Sequence, residues 1–268
     1  MFLIIDTETT GLPEKYDAPV TDVDNWPRLV QLAWQLHNNK GELAGSNNFI
    51  VKPENFTIPF SAEKVHGIST EKALKTGREL KFVLKEFAES VNRSEFIVGH
   101  NIEFDKSIVG AEYVRTNIPN KLFEKASICT KEESTGFCAI PDSRGDKYKW
   151  PTLAELYRKL FNEDFSEAHD AAADVIATAR CFFELLKKDI IDKRKYNIGE
   201  DISEDSEIKK TEQIKPAEVE TESDADNYES PPEKIKATGK EDNQLLKSSK
   251  ISLRQPRSLL SGNLRTGP

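Results

Sequence analysis

The chain opens on an unbroken apolar run, Phe2 to Ile5, which stops at Asp6. So short a run without polar interruption fits a strand buried on both faces. Residues 28–36 follow another rule: Val30, Leu32, Trp34 and Leu36 share one side of an extended chain, with Gln31 and Gln35 opposite. That period of two predicts a half-buried strand. Residues 48–51 predict a third strand, closed by Pro53, and Leu80, Val83, Leu84, Phe87 and Val91 recur at helical spacing. Phe96-Ile97-Val98 predicts a short strand before Gly99, residues 102–116 a helix, and Ser127-Ile128-Cys129 a fifth strand. Residues 131–149, rich in Gly, Ser, Lys and Asp, read as a loop in which Cys138 is exposed. A helix from Pro151 through Leu160 and a long last helix from Ala168 to Lys187 complete the order. Strands grouped and then alternating with helices predict an α/β domain, a mixed sheet with helices on both faces. Trp34, Cys129 and Cys181 are expected in its core, and His37 on the surface at a strand end.

This pattern stops near residue 190. Residues 197–268 hold 17 hydrophobic side chains in 72, with no Phe, Trp or Cys. Residues 197–242 carry 15 acidic and 6 basic side chains, whereas 243–268 carry five basic and none acidic. Of the net charge of −8, about −4 is thereby left on the first 196 residues. The organisation expected is a folded domain over 1–190, an acidic disordered linker over 191–242, and a basic tail over 243–268 that could dock on a partner. No apolar run approaches the roughly 18–20 residues that span a bilayer, so no membrane partner is expected. The first five residues are too short for a signal-peptide core, which predicts a cytoplasmic protein. Three cysteines without CxxC spacing exclude a zinc site or redox pair.

The chemistry lies in three acidic elements. Asp6-Thr7-Glu8 ends the first strand; residues i and i+2 of a strand point the same way, so two carboxylates share one face. They repel and resist desolvation unless a cation compensates, although alone such a pair also reads as a solvated turn. Asp105 follows His100-Asn101-Ile102-Glu103-Phe104 in the first turn of a helix, where the dipole favours an acid; the sharper reading aims it at the first pair. His169 and Asp174 flank Asp170-Ala171-Ala172-Ala173. They converge on one site when His169 stands at the lip of the helix and Asp174 inside it; otherwise His169 and Asp170 simply cap the helix. Together the elements supply four carboxylates and a histidine. Hard oxygen ligands suit Mg²⁺ or Mn²⁺ rather than zinc. Two such ions about 3.5–4 Å apart make the clamp used for in-line phosphoryl hydrolysis, beside which a histidine can take the proton of a water.

Asp6-Thr7-Glu8-Thr9-Thr10-Gly11-Leu12, His100-Asn101 with Phe104-Asp105, and His169 with four residues between it and Asp174 resemble the three motifs of the DnaQ-like (DEDDh) 3′–5′ exonucleases, a family that includes the epsilon proofreading subunit of bacterial DNA polymerase III. Val65-His66-Gly67-Ile68 resembles a further family segment, and the likeness covers about residues 1–188. It implies a ribonuclease H-like fold, a five-stranded mixed sheet whose second strand is antiparallel. It implies Asp6, Glu8, Asp105 and Asp174 as ligands of two Mg²⁺ (or Mn²⁺), and His169 as general base. Thr9, Thr10 and Leu12 would line a pocket for the 3′-terminal nucleotide, with His66 nearby. Asn101 and Phe104 would support Asp105. Two segments are longer than the family's: Pro13–Pro27 and the loop 131–150. Near the end of that loop Arg144, Lys147, Lys149 and Trp150 are read as a contact to backbone and base, against the plainer reading of a solvated loop with Trp150 in the core.

The function expected is metal-dependent hydrolysis of the terminal phosphodiester of DNA, releasing 5′-mononucleotides, in replication proofreading or repair. The alternatives are an exoribonuclease like RNase T or oligoribonuclease, and a non-catalytic nucleic-acid-binding scaffold. A domain near −4 is a poor binder of duplex backbone, so the substrate expected is a single-stranded or frayed DNA 3′ end. Delivery by a partner follows, with the tail as tether. Gln255-Pro256-Arg257-Ser258-Leu259-Leu260 and Gln244-Leu245-Leu246 partly resemble sliding-clamp peptides, which makes a clamp or a polymerase subunit the partner to test.

Overall fold

The computed structural model describes residues 1–164 and 170–199. His169 and residues 200–268, which hold most of the acidic linker and all of the basic tail inferred from sequence, lie outside the described residues. Five strands form one mixed sheet in the order β3-β2-β1-β4-β5: β1 Phe2–Thr9, β2 Leu29–His37, β3 Leu43–Ile50, β4 Phe96–Gly99 and β5 Ala126–Cys129. β1 pairs antiparallel with β2 and parallel with β4. This is the ribonuclease H-like arrangement that the resemblance implied. Helices α1 Phe60–His66, α2 Thr70–Thr76 and α3 Leu80–Arg93 lie between β3 and β4; α4 Ile102–Thr116 links β4 to β5; α5 Thr130–Glu133, α6 Thr135–Cys138, α7 Leu153–Phe161 and α8 Ala171–Lys187 follow.

The apolar run of β1 is buried on both faces, as its pattern predicts. Phe2 and Ile4 pack with Val175, Phe182 and Leu185 of α8. Leu3 and Ile5 pack with Val83, Leu84 and Phe87 of α3 and Ile108 and Val109 of α4. Burying such side chains on both sides, at about 1.5–3 kcal/mol apiece, makes β1 the fixed axis of the molecule.

Four expectations are corrected. β2 is buried on both faces rather than one, because α8 covers its polar side. Gln31 survives there by donating to Asn48 at 2.8 Å. His37 is buried, not superficial: its ring nitrogens lie 2.9 and 3.0 Å from the Gly41 carbonyl and the Gln35 side-chain oxygen, and Phe183 packs beside it. Residues 131–149 are not all loop. Ser134 and Thr135 donate their hydroxyls to the Thr130 and Lys131 carbonyls, sustaining two helical turns too short to show a period, and Cys138 is buried at the end of the second. Packing also extends past residue 190: Ile191 and Ile198 lie in the α8 core, and Tyr196 donates to Glu133. The long segment 13–27 is tied down at both ends, Asn25 clamping the backbone of Lys15 and Arg115 of α4 donating to the Val23 and Trp26 carbonyls.

Candidate active site

The parallel pairing of β1 with β4 stops at Ile4 and Val98. Beyond it Asp6, Thr7 and Glu8 continue along β2, opposite Ala33, Leu32 and Gln31. The carboxyl ends of β1 and β4 therefore share one edge, and α4 starts from it through Asn101, whose left-handed backbone (φ 95°) turns the chain sharply. Asparagine tolerates that conformation better than most residues. Ligands of open α/β sheets bind at such an edge.

Alternation sends Asp6 and Glu8 to the α8 side of β1 and Thr7 to the α4 side. Asp174, in the first turn of α8, meets the pair, and carboxylate oxygens of Asp6, Glu8 and Asp174 lie within 4.8 Å of one another. The approach is set by Asp170. It is the N-cap of α8, accepting from the Ala172 and Ala173 N–H groups at 2.9 and 3.3 Å, and Ala171 and Ala172 beneath it are small enough to bury against the sheet. Asp105 arrives from the other side, in the first turn of α4. It is 3% exposed, and the Thr7 hydroxyl donates to it at 2.7 Å. It stands at the flank of the three-carboxylate group rather than within it.

The electrostatics of the group are adverse. Burial, then the charges of Asp105 and Asp174, push Asp6 far above the ordinary carboxylate range. Burial, then Asp174 and Asp105, push Glu8 up to about 8. Burial lifts Asp105 to about 7 despite the opposing Thr7 hydrogen bond. Acids drawn together at one edge, with no ion pair to Asp6, Glu8 or Asp105 among the described residues, fit a divalent ion: hard oxygens are its donor set, and its charge reverses the penalty.

The nucleotide-pocket residues are placed in part. Thr9 is buried and donates to the Gly11 carbonyl at 2.6 Å; the Thr10 hydroxyl accepts from the Arg28 N–H at 2.9 Å. Both hydroxyls thus shape the turn after β1. Leu12 stands 73% exposed at its tip. His66, at the end of α1, is buried beside the Thr9 backbone. Its Nδ1 accepts from the Ile68 N–H at 3.1 Å, so Nε2 carries the proton, and burial lowers its pKa.

Three contributors escape the sequence reading. Thr7 was legible only as the residue of opposite parity to Asp6 and Glu8. His100 has its pKa driven down to about 4 by burial. The neutral ring donates from Nε2 to the Pro151 carbonyl and accepts the Thr130 hydroxyl at Nδ1, both at 3.0 Å. Glu112 of α4 is wholly buried and holds Arg28 at 2.8 Å and Arg115 at 3.1 Å; it reads as a surface helix charge until the 13–27 segment covers it.

Comparison with known proteins agrees with this geometry. Residues 3–182 match the family model described as exonuclease (RNase_T). The chain belongs to that family, the DnaQ-like 3′–5′ exonucleases, enzymes acting on nucleic acid. It is 27% identical over 194 residues to the PolC-type DNA polymerase III of Latilactobacillus sakei, which covers 70% of this chain and 11% of that protein. The chain thus spans about a tenth of the curated relative it matches. Among solved structures it resembles E. coli exonuclease I in complex with a dT13 oligonucleotide (TM-score 0.56, 20% identity, 73% of this chain and 42% of that one). A zinc-bound exonuclease I–single-stranded DNA complex matches as well (TM-score 0.56, 22% identity, 73% and 42%). At these identities the likeness is one of fold.

Proposed function

We propose that the protein is a divalent-metal-dependent 3′–5′ exonuclease that hydrolyses the terminal phosphodiester of DNA, releases 5′-mononucleotides, and serves replication proofreading or repair. The observation carrying this reading is the convergence of Asp6, Glu8 and Asp174 within 4.8 Å, with Asp105 at their flank. Those four carboxylates would hold two Mg²⁺ (or Mn²⁺). Bound there, the ions would supply a lowered pKa for water and charge stabilisation at the scissile phosphate. The protein's own share is placement. Thr7 fixes Asp105, Asp170 fixes the first turn of α8 and with it Asp174, and the Thr9–Leu12 turn with His66 forms one wall for the terminal nucleotide. His169 is assigned the proton of the attacking water.

DNA is favoured over RNA because the relatives named above include a DNA polymerase and a nuclease complexed with DNA oligonucleotides. The charge split supports delivery by a polymerase subunit or sliding clamp gripping residues 243–268, in the cytoplasm. None of the helices among the described residues is long and apolar enough to cross a membrane.

The test is a time course on 5′-labelled single-stranded DNA and a matched RNA with Mg²⁺. Wild type is expected to give a DNA ladder shortening from the 3′ end, absent with Asp174→Ala and with His169→Ala. A ladder on RNA alone would move the protein to RNA turnover. No shortening of either strand would leave a scaffold.

A further inference from the structure

Residues 140–150 form a small hairpin outside the five-stranded sheet. Pro141 bridges Tyr148, the Lys149 N–H donates to the Ile140 carbonyl at 2.9 Å, and the Asp142 N–H to the Lys147 carbonyl at 2.8 Å. Gly145 turns the tip with φ 83°. Hairpin tips usually shed large apolar side chains, yet Tyr148 is 56% and Trp150 60% exposed. Trp150 precedes Pro151, which holds it extended. Tyr148 and Trp150, two residues apart, then share one side at about 7 Å along the chain.

The hairpin is also wired to the acidic edge. His100, which follows β4, binds the Pro151 carbonyl. Lys131 sits 4.1 Å over the Trp150 ring while donating to Asn101, the N-cap of α4, four residues before Asp105. The hairpin's two acids, Asp142 and Asp146, are outnumbered by Arg144, Lys147 and Lys149. Asp142 caps its own turn by accepting from the Arg144 and Gly145 N–H groups, and Glu155 is taken by Lys149 at 2.6 Å. Arg144 and Lys147 are left as exposed cations beside two exposed rings.

We propose that this hairpin is a second, non-catalytic contact for the substrate strand: two successive bases stack on Trp150 and Tyr148, and Arg144 and Lys147 hold the neighbouring phosphates. Aromatic faces interleaved with cations suit single-stranded nucleic acid, since every base has a π-face to offer. The neutral His100 and the Lys131–Asn101 contact make the platform rigid relative to Asp105, so a strand gripped there is aimed at the carboxylates. The assignment corrects the sequence reading at Lys149, which is an anchor of the hairpin and not a phosphate contact. It rests on the exonuclease reading for the direction in which the strand enters.

The test is fluorescence anisotropy of a 5′-labelled single-stranded DNA 15-mer with the full chain in EDTA, beside the Mg²⁺ time course above. Trp150→Ala and Tyr148→Ala are each expected to weaken binding about 5- to 100-fold, with Trp150→Phe close to wild type. Removing Arg144 and Lys147 should lower the slope of log affinity against log salt by about 0.7 per charge. Both rings are exposed, so the thermal melts should not change. A Trp150→Ala, Tyr148→Ala double variant that binds like wild type overturns the proposal even if wild type shortens DNA. If the aromatic variants lose binding while wild type shortens nothing, the hairpin stands and the exonuclease reading falls.

Discussion

At the scale of single residues the site is a set of buried acids that have no reason to stay together except to share something positive. Asp174→Ala is expected to lower exonuclease turnover on the order of 10³-fold, measured in single-turnover time courses, with the protein still folded because the side chain it leaves is that of its own neighbours. A variant of normal rate would remove Asp174 from the site. Asp6 and Glu8 were legible because period two is a geometric certainty in a strand. Asp105 was legible as a helix-start acid aimed at the first pair; its grip by Thr7 was not, since that needs the partner side of the sheet. That Asp174 joins the first pair was legible from the family resemblance; the helix geometry that brings it there was not. Five steps of an ideal helix put it well away from His169, and only the capping of α8 by Asp170 fixes which of its faces meets β1.

Among the elements, α4 carries two unrelated duties on one helix. Its first turn supplies Asp105, and two turns later Glu112 gathers Arg28 and Arg115, and through them the segment 13–27 and the turn after β1. Removing one member of a buried ion cluster strands the others. Glu112→Ala should therefore cost about 3–5 kcal/mol, a drop in Tm on the order of 10 °C, and make segment 13–27 sensitive to protease. An unchanged melt would show that the arginines need no partner there. Of the long elements, α3 and α8 were read correctly because they run for several turns, enough for the 3.6-residue period to declare itself. The four-residue turns α5 and α6 are too short to repeat anything. β2 misled because polar residues on a strand signal solvent only when no helix covers them, and α8 covers Gln31 and Gln35.

For the whole molecule the crowded carboxylates set a dependence on pH. Glu8 at about 8 and Asp105 at about 7 lie above their ordinary values, so between about pH 4 and 8 the folded state holds protons that the unfolded chain has released. Stability must then fall as pH rises through that window. In EDTA the Tm is expected to be lower at pH 8.5 than at pH 6. Mg²⁺ at about 100 times its Kd adds about 2.7 kcal/mol, about 5–10 °C for a domain of this size, and more at pH 8.5 than at 6. A melt indifferent to Mg²⁺ at both pH values would mean that the acids hold no such ion.

The burial of all three thiols has a use of its own. Cys129, Cys138 and Cys181 are the chain's complete set and none faces solvent, so a thiol reagent meets nothing on the closed molecule. Its reaction becomes a clock for opening. Cys138 ends the short turn α6, just ahead of the 140–150 hairpin, and times the loosening of that rim. Cys181, in the middle of α8 against the sheet, times only the loss of the core that holds Asp174 beside β1. Two labelling rates on one unmodified chain thus separate the breathing of the strand-gripping surface from the coming apart of the catalytic edge.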